Sequence, residues 1–495
     1  MRIRSASLTG NYWAIPIACG AVIALTATLV LRLPYVWSGL LLVGLAVAVG
    51  SLIAQDFKSY WMAVFALALP LEIIKSLVDG EYIREITNMY GIPMGEMPAP
   101  FIYLSDLPFI ILLLHWMFEV IYKKQKVYYP KSNRLALVFI GWCALSLINT
   151  PVFSYGFYDL LRLIKFYFLY IYIANNITTE ERVRSLMRFF FIGVAFQGVI
   201  CLIQFLSHDS GYIFGNLFGK KEVFSEEFKT LYKVFEGSDV GFKRASGTVG
   251  PINAQAQYFE LLLPVLLVMW LGAARLRANI YYGMVFMVGA AGLIVTFSRG
   301  GFIGLAAGLV AGFFLSKMYS VISGKKFLAV LITSVLIITM ASPYIYKFVM
   351  SRPEASQSRF HLYKVGLKMI EAHPFLGVGL NSHMIVSPQV DTETYFFPTP
   401  THNQYIFMAS EVGVPGLAFF LAFITSVCVA ASRVARSNMR YLAMIALGIL
   451  GAIVAIAVHS LVDHFTYHTN LSLLWLFAGL SAAMYRLTTQ EQRGI

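Results

Sequence analysis

Arg244, Arg299, Arg359 and His402 stand at or beside the ends of apolar runs, where charged and titratable residues are the first candidates for function. In FSRGGFIG, Phe297 to Gly304, two apolar runs meet with almost no loop between them. Arg299 is held at the junction, and Gly300 and Gly301 let the backbone bend. A guanidinium pinned there suits phosphate, because its donors fork onto phosphate oxygens; an Arg snorkelling from an ordinary tight turn leaves the same trace. In FKRASGTVGPINAQAQ, Phe242 to Gln257, Lys243 and Arg244 precede a Gly-rich turn, and Asn253, Gln255 and Gln257 enter the next apolar run. Amides entering hydrocarbon are costly unless they line a cavity; the other reading is a polar helix cap. Arg359 opens SRFHLYKVGLKMIEAH, either as a ligand contact or as one more charge on a surface helix.

The fourth stretch is THNQYIFMASEVGVPG, residues 401–416. His402 is a candidate general base, because the unperturbed imidazole pKa lies near neutrality; a polar residue at a membrane interface is the plain alternative. Thr401 reads as the helix cap. Asn403 and Tyr405 lie beside His402, with Tyr405 one turn on. Glu411 falls on the opposite face of a continuous helix from His402, so no His–Glu pair is expected.

The segment HSLVDHFTYH, residues 459–468, gathers His459, Asp463, His464 and His468. His464 and His468 are four apart, a spacing open to a metal, but Asn470 and the loop position favour a solvated turn, and no metal site is expected. The chain lacks a P-loop, a nucleotide-binding glycine fingerprint and an HExxH motif. Cys19, Cys143, Cys201 and Cys428 lie inside apolar runs without a CxxC spacing, so neither a disulfide nor a metal is expected of them.

The elements that position these residues are membrane helices. The 495 residues are 58% hydrophobic and 13% charged, with a mean hydropathy of +0.70, and apolar stretches long enough to span a bilayer recur along the chain. The expected fold is an all-α polytopic membrane protein of about 12–14 transmembrane helices. They are placed near 11–31, 35–54, 59–74, 105–122, 135–150, 160–176, 188–207, 252–271, 280–297, 301–318, 327–342, 403–430, 441–460 and 471–487. Continuous apolar runs exclude a β-barrel. The net charge of +13 is spread over short loops, which fits the positive-inside rule and not nucleic acid. Alternation of those loops puts both termini in the cytoplasm. The first apolar run lacks a small-residue cleavage site and reads as a retained helix.

The organisation follows: N-terminal transmembrane helices over 1–207, an external loop over 208–251, transmembrane helices with SRGG over 252–342, a large external loop over 343–402 and C-terminal transmembrane helices over 403–495. Within 358–373, Phe360, Tyr363, Leu367 and Ile370 recur at helical spacing, with His361, Lys364, Lys368 and Glu371 one residue later. This predicts an amphipathic helix at the external membrane surface, ended by Pro374 and followed by a tight turn at Gly377 and Gly379.

SRGG at 298–301, KRASGTVGPINAQA at 243–256, SRFHLYKVGLKMIEAHPFLGVGLNSH at 358–383 and HNQYIFMASEVGVPGL at 402–417, taken together and spaced in this way, resemble the O-antigen ligase and polymerase superfamily. The resemblance is specific over about 244–417; the N-terminal half matches only as a generic multi-helix region. It implies a multi-helix membrane glycosyltransferase of the bacterial inner membrane, inverting, metal-independent and without a cofactor, whose site faces the periplasm. Its donor would be a glycan on undecaprenyl diphosphate. Its acceptor would be lipid A–core for a ligase or the growing glycan for a polymerase, with membrane lipids as surroundings. By the same resemblance Arg244 and Arg299 would hold the diphosphate and His402 would sit beside the acceptor hydroxyl. Arg359 matches an Arg that commonly opens the amphipathic helix. The chain is longer than a compact ligase, and its 208–251 loop is large and carries both signs of charge. A polysaccharide flippase or secondary transporter is the alternative; inverted repeats, which many transporters show, are not detectable.

Overall fold

The computed structural model describes residues 35–77, 100–207, 244–333, 354–391 and 400–492. The expected helix at 11–31, the second half of the one at 327–342 and most of the loop at 208–251 lie outside them.

The described chain is helical almost throughout. Its elements are α1 (Tyr35–Ile53), α2 (Phe57–Ala68), β1 (Ile74–Ser76), β2 (Phe101–Tyr103), α3 (Asp106–Ile121), α4 (Asn133–Ser146), α5 (Phe153–Asn176), α6 (Glu180–Leu206), α7 (Ile252–Gly272), α8 (Leu276–Ile294), α9 (Arg299–Met318), α10 (Glu354–Ala372), α11 (His383–Val390), α12 (Gln404–Val434), α13 (Arg440–His459) and α14 (His468–Gln492). The protein is an all-α, multi-pass membrane protein. Among the described residues six helices, α6, α7, α9, α12, α13 and α14, are long and apolar enough to cross a membrane. The other expected spans that fall within the described residues form helices, but some are short or charged: α2 has 12 residues, against about 20 for a hydrocarbon core, and α5 carries Asp159, Arg162 and Lys165.

The helix expected over 59–74 stops at Ala68. Pro70 lacks an amide donor, and the chain then turns into β1, which pairs antiparallel with β2, Ile74 opposite Tyr103. This short hairpin lies in what reads from sequence as an external loop.

Helix α7 is the centre of the bundle. Beyond Asn253, Gln255, Gln257 and Glu260 in its first turns it is apolar, it is buried nearly throughout, as a helix without a solvated polar face must be, and it packs against α8, α9 and α13. Glycines set how closely α9 and α13 approach. A Cβ on Gly304 would lie 2.8 Å from the Ala455 carbonyl oxygen, and one on Gly308 2.7 Å from that of Gly451. This is the small-residue packing that membrane helices use where apolarity gives no preference between helix and lipid.

Helix α10 is the expected amphipathic helix. Phe360 and Leu367 stay exposed, at 68% and 48%, on the outward face, while Val365 and Met369 are buried. Gly366 brings its backbone against α12, since a Cβ there would meet Ile406 Cγ2 at 2.6 Å. Helix α10 therefore docks by a second apolar face that the Phe360–Ile370 stripe does not include.

Helix α12 is interrupted at Gly413, which takes φ +73° and ψ 170° ahead of Pro415. The break frees carbonyls of the preceding turn, and the segment after α10 uses them. The amides of Val378 and Gly379 donate to the carbonyls of Ser410 and Glu411, at 2.8 and 3.0 Å. Gly377 and Gly379 have positive φ, so the expected tight turn is present.

Candidate functional site

The turn before α9 organises the first half of the site. Phe297 has a φ of +50°, which directs Ser298 to cap the helix; its hydroxyl accepts from the Gly301 amide at 3.2 Å. The Arg244 guanidinium donates to the carbonyls of Thr296 at 2.9 Å and Phe297 at 3.3 Å. The amide of Ala245 donates to Val295 at 3.0 Å. Arg244 and Arg299 are thus fixed to one turn although 55 positions separate them in sequence. Both are half-buried.

From that turn a continuous path of polar contacts leads to His402. The Ser298 hydroxyl donates to Asn253 Oδ1 at 3.0 Å, and the Asn253 amide donates to Asp463 Oδ2 at 2.5 Å. Oδ1 of the same carboxylate lies 2.9 Å from His402 Nδ1. Of the amides entering the α7 run, Asn253 therefore lies on this path. The Gln257 amide donates to the His464 carbonyl at 2.9 Å and so ties α7 to the loop that carries Asp463.

Asp463 is buried, at 1% exposure. Burial alone raises a carboxyl pKa, but the hydrogen-bonded ring of His402 and the nearby rings of His459 and His464 outweigh it and hold Asp463 well below the ordinary carboxylate range. An ionised carboxylate only accepts, so the proton of His402 belongs on Nδ1, which leaves Nε2 as the basic nitrogen. His402 itself is 27% exposed at its side chain.

A second histidine approaches Asp463 from within the bundle. His459, at the end of α13, places Nε2 3.7 Å from Asp463 Oδ2. Its Nδ1 lies 2.9 Å from each carboxylate oxygen of Glu260 on α7. Glu260 is 0% and His459 1% exposed. The glycines of SRGG and its continuation make the room: a Cβ on Gly300 would meet His459 Nε2 at 2.5 Å, and one on Gly304 would meet Glu260 Oε1 at 2.9 Å. SRGG therefore presents Arg299 and also admits a buried carboxylate–imidazole pair behind it.

The stretch 459–468 is not the solvated turn expected from sequence: His459, Asp463 and His468 are all buried. The spacing of His464 and His468 also does not bring them to a common ligand. His468 stacks on Tyr103 with centroids 3.6 Å apart. His464 instead joins His402 and Asp463, and one ligand atom from each of the three lies within 4.8 Å of the others. Two imidazoles and a carboxylate are a set that a cation could use. Here His402 Nδ1 and the His464 backbone amide already engage Asp463 Oδ1, each at 2.9 Å.

The helix cap differs from expectation. Asn403, with φ −153° and ψ 109°, caps α12; its Oδ1 accepts from the amides of Tyr405 at 3.0 Å and Ile406 at 3.1 Å. Thr401 is buried, and its hydroxyl lies 3.1 Å from both the Leu362 carbonyl and His383 Nε2. Thr401 and Asn403 are both of types that cap, and the extended backbone at Asn403, directly before α12, decides between them. The Tyr405 hydroxyl donates to the Ala457 carbonyl at 2.8 Å. Glu411 does not approach His402; it accepts from the amides of Ser382 and His383, at 3.1 and 3.3 Å. Arg359 lies one turn before Tyr363 on α10, and the Tyr363 hydroxyl donates to the His402 carbonyl at 2.9 Å.

Residues 282–421 match the family model described as O-antigen ligase. Over this segment the chain is similar to the O-antigen ligase family. No curated protein matches the chain. The matched segment contains Arg299, Arg359, His402, Asn403 and Tyr405. Arg244, Glu260, His459 and Asp463 lie outside it and reach the matched segment through the contacts above.

Proposed function

We propose that this membrane protein transfers a glycan from an undecaprenyl diphosphate-linked donor to the hydroxyl of an acceptor sugar on the periplasmic face, as an O-antigen ligase or surface-polysaccharide polymerase. The observation that carries the reading is the path Arg299–Ser298–Asn253–Asp463–His402, which joins a cationic turn to a basic imidazole in a domain of this family.

In this reading Arg244 and Arg299 hold the donor diphosphate. The acceptor oxygen attacks C1 of the donor sugar from the face opposite the diphosphate, so the C1–O bond to the acceptor forms as the C1–O bond to the phosphate breaks, and the anomeric configuration inverts. The electron pair leaves with the lipid diphosphate, whose added charge the guanidiniums stabilise in a poorly hydrated site. His402 Nε2 takes the acceptor proton, and Asp463 stabilises the resulting imidazolium. The arginines supply the charge stabilisation that a divalent metal supplies in many glycosyltransferases, so no cofactor enters the scheme. Asn403 and Tyr405 hold the His402 loop, and Arg359 flanks the acceptor side.

The acceptor distinguishes ligase from polymerase. In a strain lacking this protein, full-length unattached chains indicate a ligase and single repeat units a polymerase. Purified protein that moves lipid-linked sugar across liposomes without forming a glycosidic bond would instead support a flippase.

A further inference from the structure

At the opposite end of α13 from the histidines, α6, α8 and α13 enclose an open cleft with about 80 Å³ of space, lined by Arg184, Arg188, Phe191, Tyr281, Tyr282 and Tyr441. Tyr441 and His459 are eighteen positions apart on α13, a rise of about 27 Å, close to the thickness of a bilayer core. The cleft therefore lies at the other membrane face from His402. Its cations are fixed differently. Arg184 pairs with Glu180 one turn earlier, and its guanidinium sits 3.8 Å from the centroid of the Tyr441 ring, which fixes its orientation. Arg188 is exposed, and no hydrogen bond or ion pair within the described residues engages it. Glu180 offsets Arg184, so Arg188 is the uncompensated charge. Tyr441 and Phe191 form a buried floor, and the Tyr281 and Tyr282 rings stand 5.3 Å apart beside it.

We infer that this cleft binds the phosphodiester headgroup of an anionic phospholipid, with Arg184 and Arg188 on the phosphate oxygens and the aromatic floor against the upper acyl chains. Guanidinium donors suit a phosphodiester, and aromatic side chains with a polar tip favour the membrane interface. The position at the ends of three helices, one membrane thickness from the candidate site, favours a lipid over a soluble anion.

Full-length protein purified in mild detergent is offered phosphatidylglycerol or phosphatidylcholine of matched chains, and retained lipid is read by native mass spectrometry. Phosphatidylglycerol should be retained preferentially. Arg188→Gln should weaken that retention about five-fold, and Arg184→Gln/Arg188→Gln about twenty-five-fold, for roughly one contact's worth of binding each. The exposed Arg188 makes the single variant decisive if the double variant does not fold. Equal retention of the two lipids, unchanged retention by Arg188→Gln, or displacement of phosphatidylglycerol by an equal concentration of inorganic phosphate would overturn the assignment. None of these readouts depends on glycan transfer.

Discussion

His402 Nδ1 lies 2.9 Å from Asp463 Oδ1, across 61 positions of sequence. Asp463 also receives Asn253 and stands near His459, so the carboxylate that orients His402 is itself fixed on three sides. An imidazole held this way has one tautomer and one direction. Replacing Asp463 by Asn should lower the rate of glycan transfer by about 10²–10⁴, the range of a misdirected general base. Transfer in isolated membranes, corrected for the amount of protein, measures it. A rate within a factor of about two of wild type would remove Asp463 from the reading.

Glu260 and His459 form a buried pair, and removal of one partner leaves the other unpaired in the bundle. Glu260→Gln or His459→Gln should each cost about 3–5 kcal/mol of stability. The double variant should recover part of this, because both charges are then gone. Thermal unfolding in detergent, arranged as a double-mutant cycle, gives the coupling directly. Strict additivity would show that the two residues do not act as a pair.

A methyl group on Gly300 has no room beside His459 Nε2. Gly300→Ala should push the imidazole away from Asp463, with a cost of about 1–3 kcal/mol and a loss of transfer. Gly324→Ala, where a Cβ would approach only the flexible end of Lys317 at 3.7 Å, should leave both unchanged. If Gly300→Ala behaves like Gly324→Ala, the glycine does not shape the site.

How much of this could be read before folding depended on the range of the interaction. The helices follow from apolar runs, and the positions of Arg299 and His402 from local motifs, so both were visible in the sequence. Glu260 and His459 were not recognised as partners, because each is a lone polar residue at helical spacing and 199 positions separate them. Asp463 sits in a histidine-rich stretch whose composition suggests a wet loop; only the packing of α7, α12 and α13 around it makes it buried. The β1–β2 hairpin escaped because strands of three residues carry almost no alternation to detect.

His383 should make the protein sensitive to acid. Burial, aided by the charge of His464, holds its pKa at about 3 against an ordinary 6.5. The neutral ring lies 2.7 Å from the Ser410 hydroxyl and 3.1 Å from that of Thr401, beside His402. Below pH 6.5 the unfolded chain takes up a proton that the folded chain refuses, so stability falls as pH drops toward 3. The loss should reach about 2 kcal/mol at about pH 5. His383→Gln removes the titration, and its unfolding should lose this part of the acid slope. An unchanged slope between pH 6.5 and 5 would contradict the assignment.

Arg299 and Arg244 should separate from His402 in kinetics. Arg299→Lys keeps the charge but loses the fork, so it should raise the KM for the lipid-linked donor and lower the rate, with Arg299→Ala more severe. Inorganic diphosphate should compete with the donor in wild type and more weakly in either variant. Equal competition in all three would detach Arg299 from the diphosphate.

The most direct test is bond formation by the purified protein in liposomes that contain undecaprenyl diphosphate-linked glycan and an acceptor glycolipid, with EDTA present. Wild type should form the new glycosidic bond with inverted anomeric configuration, and a folded, membrane-inserted His402→Ala should form it at least about 10²-fold more slowly. Undiminished transfer by His402→Ala, dependence of the wild-type reaction on an added metal, or passage of the donor across the bilayer without a new bond would contradict the proposed mechanism.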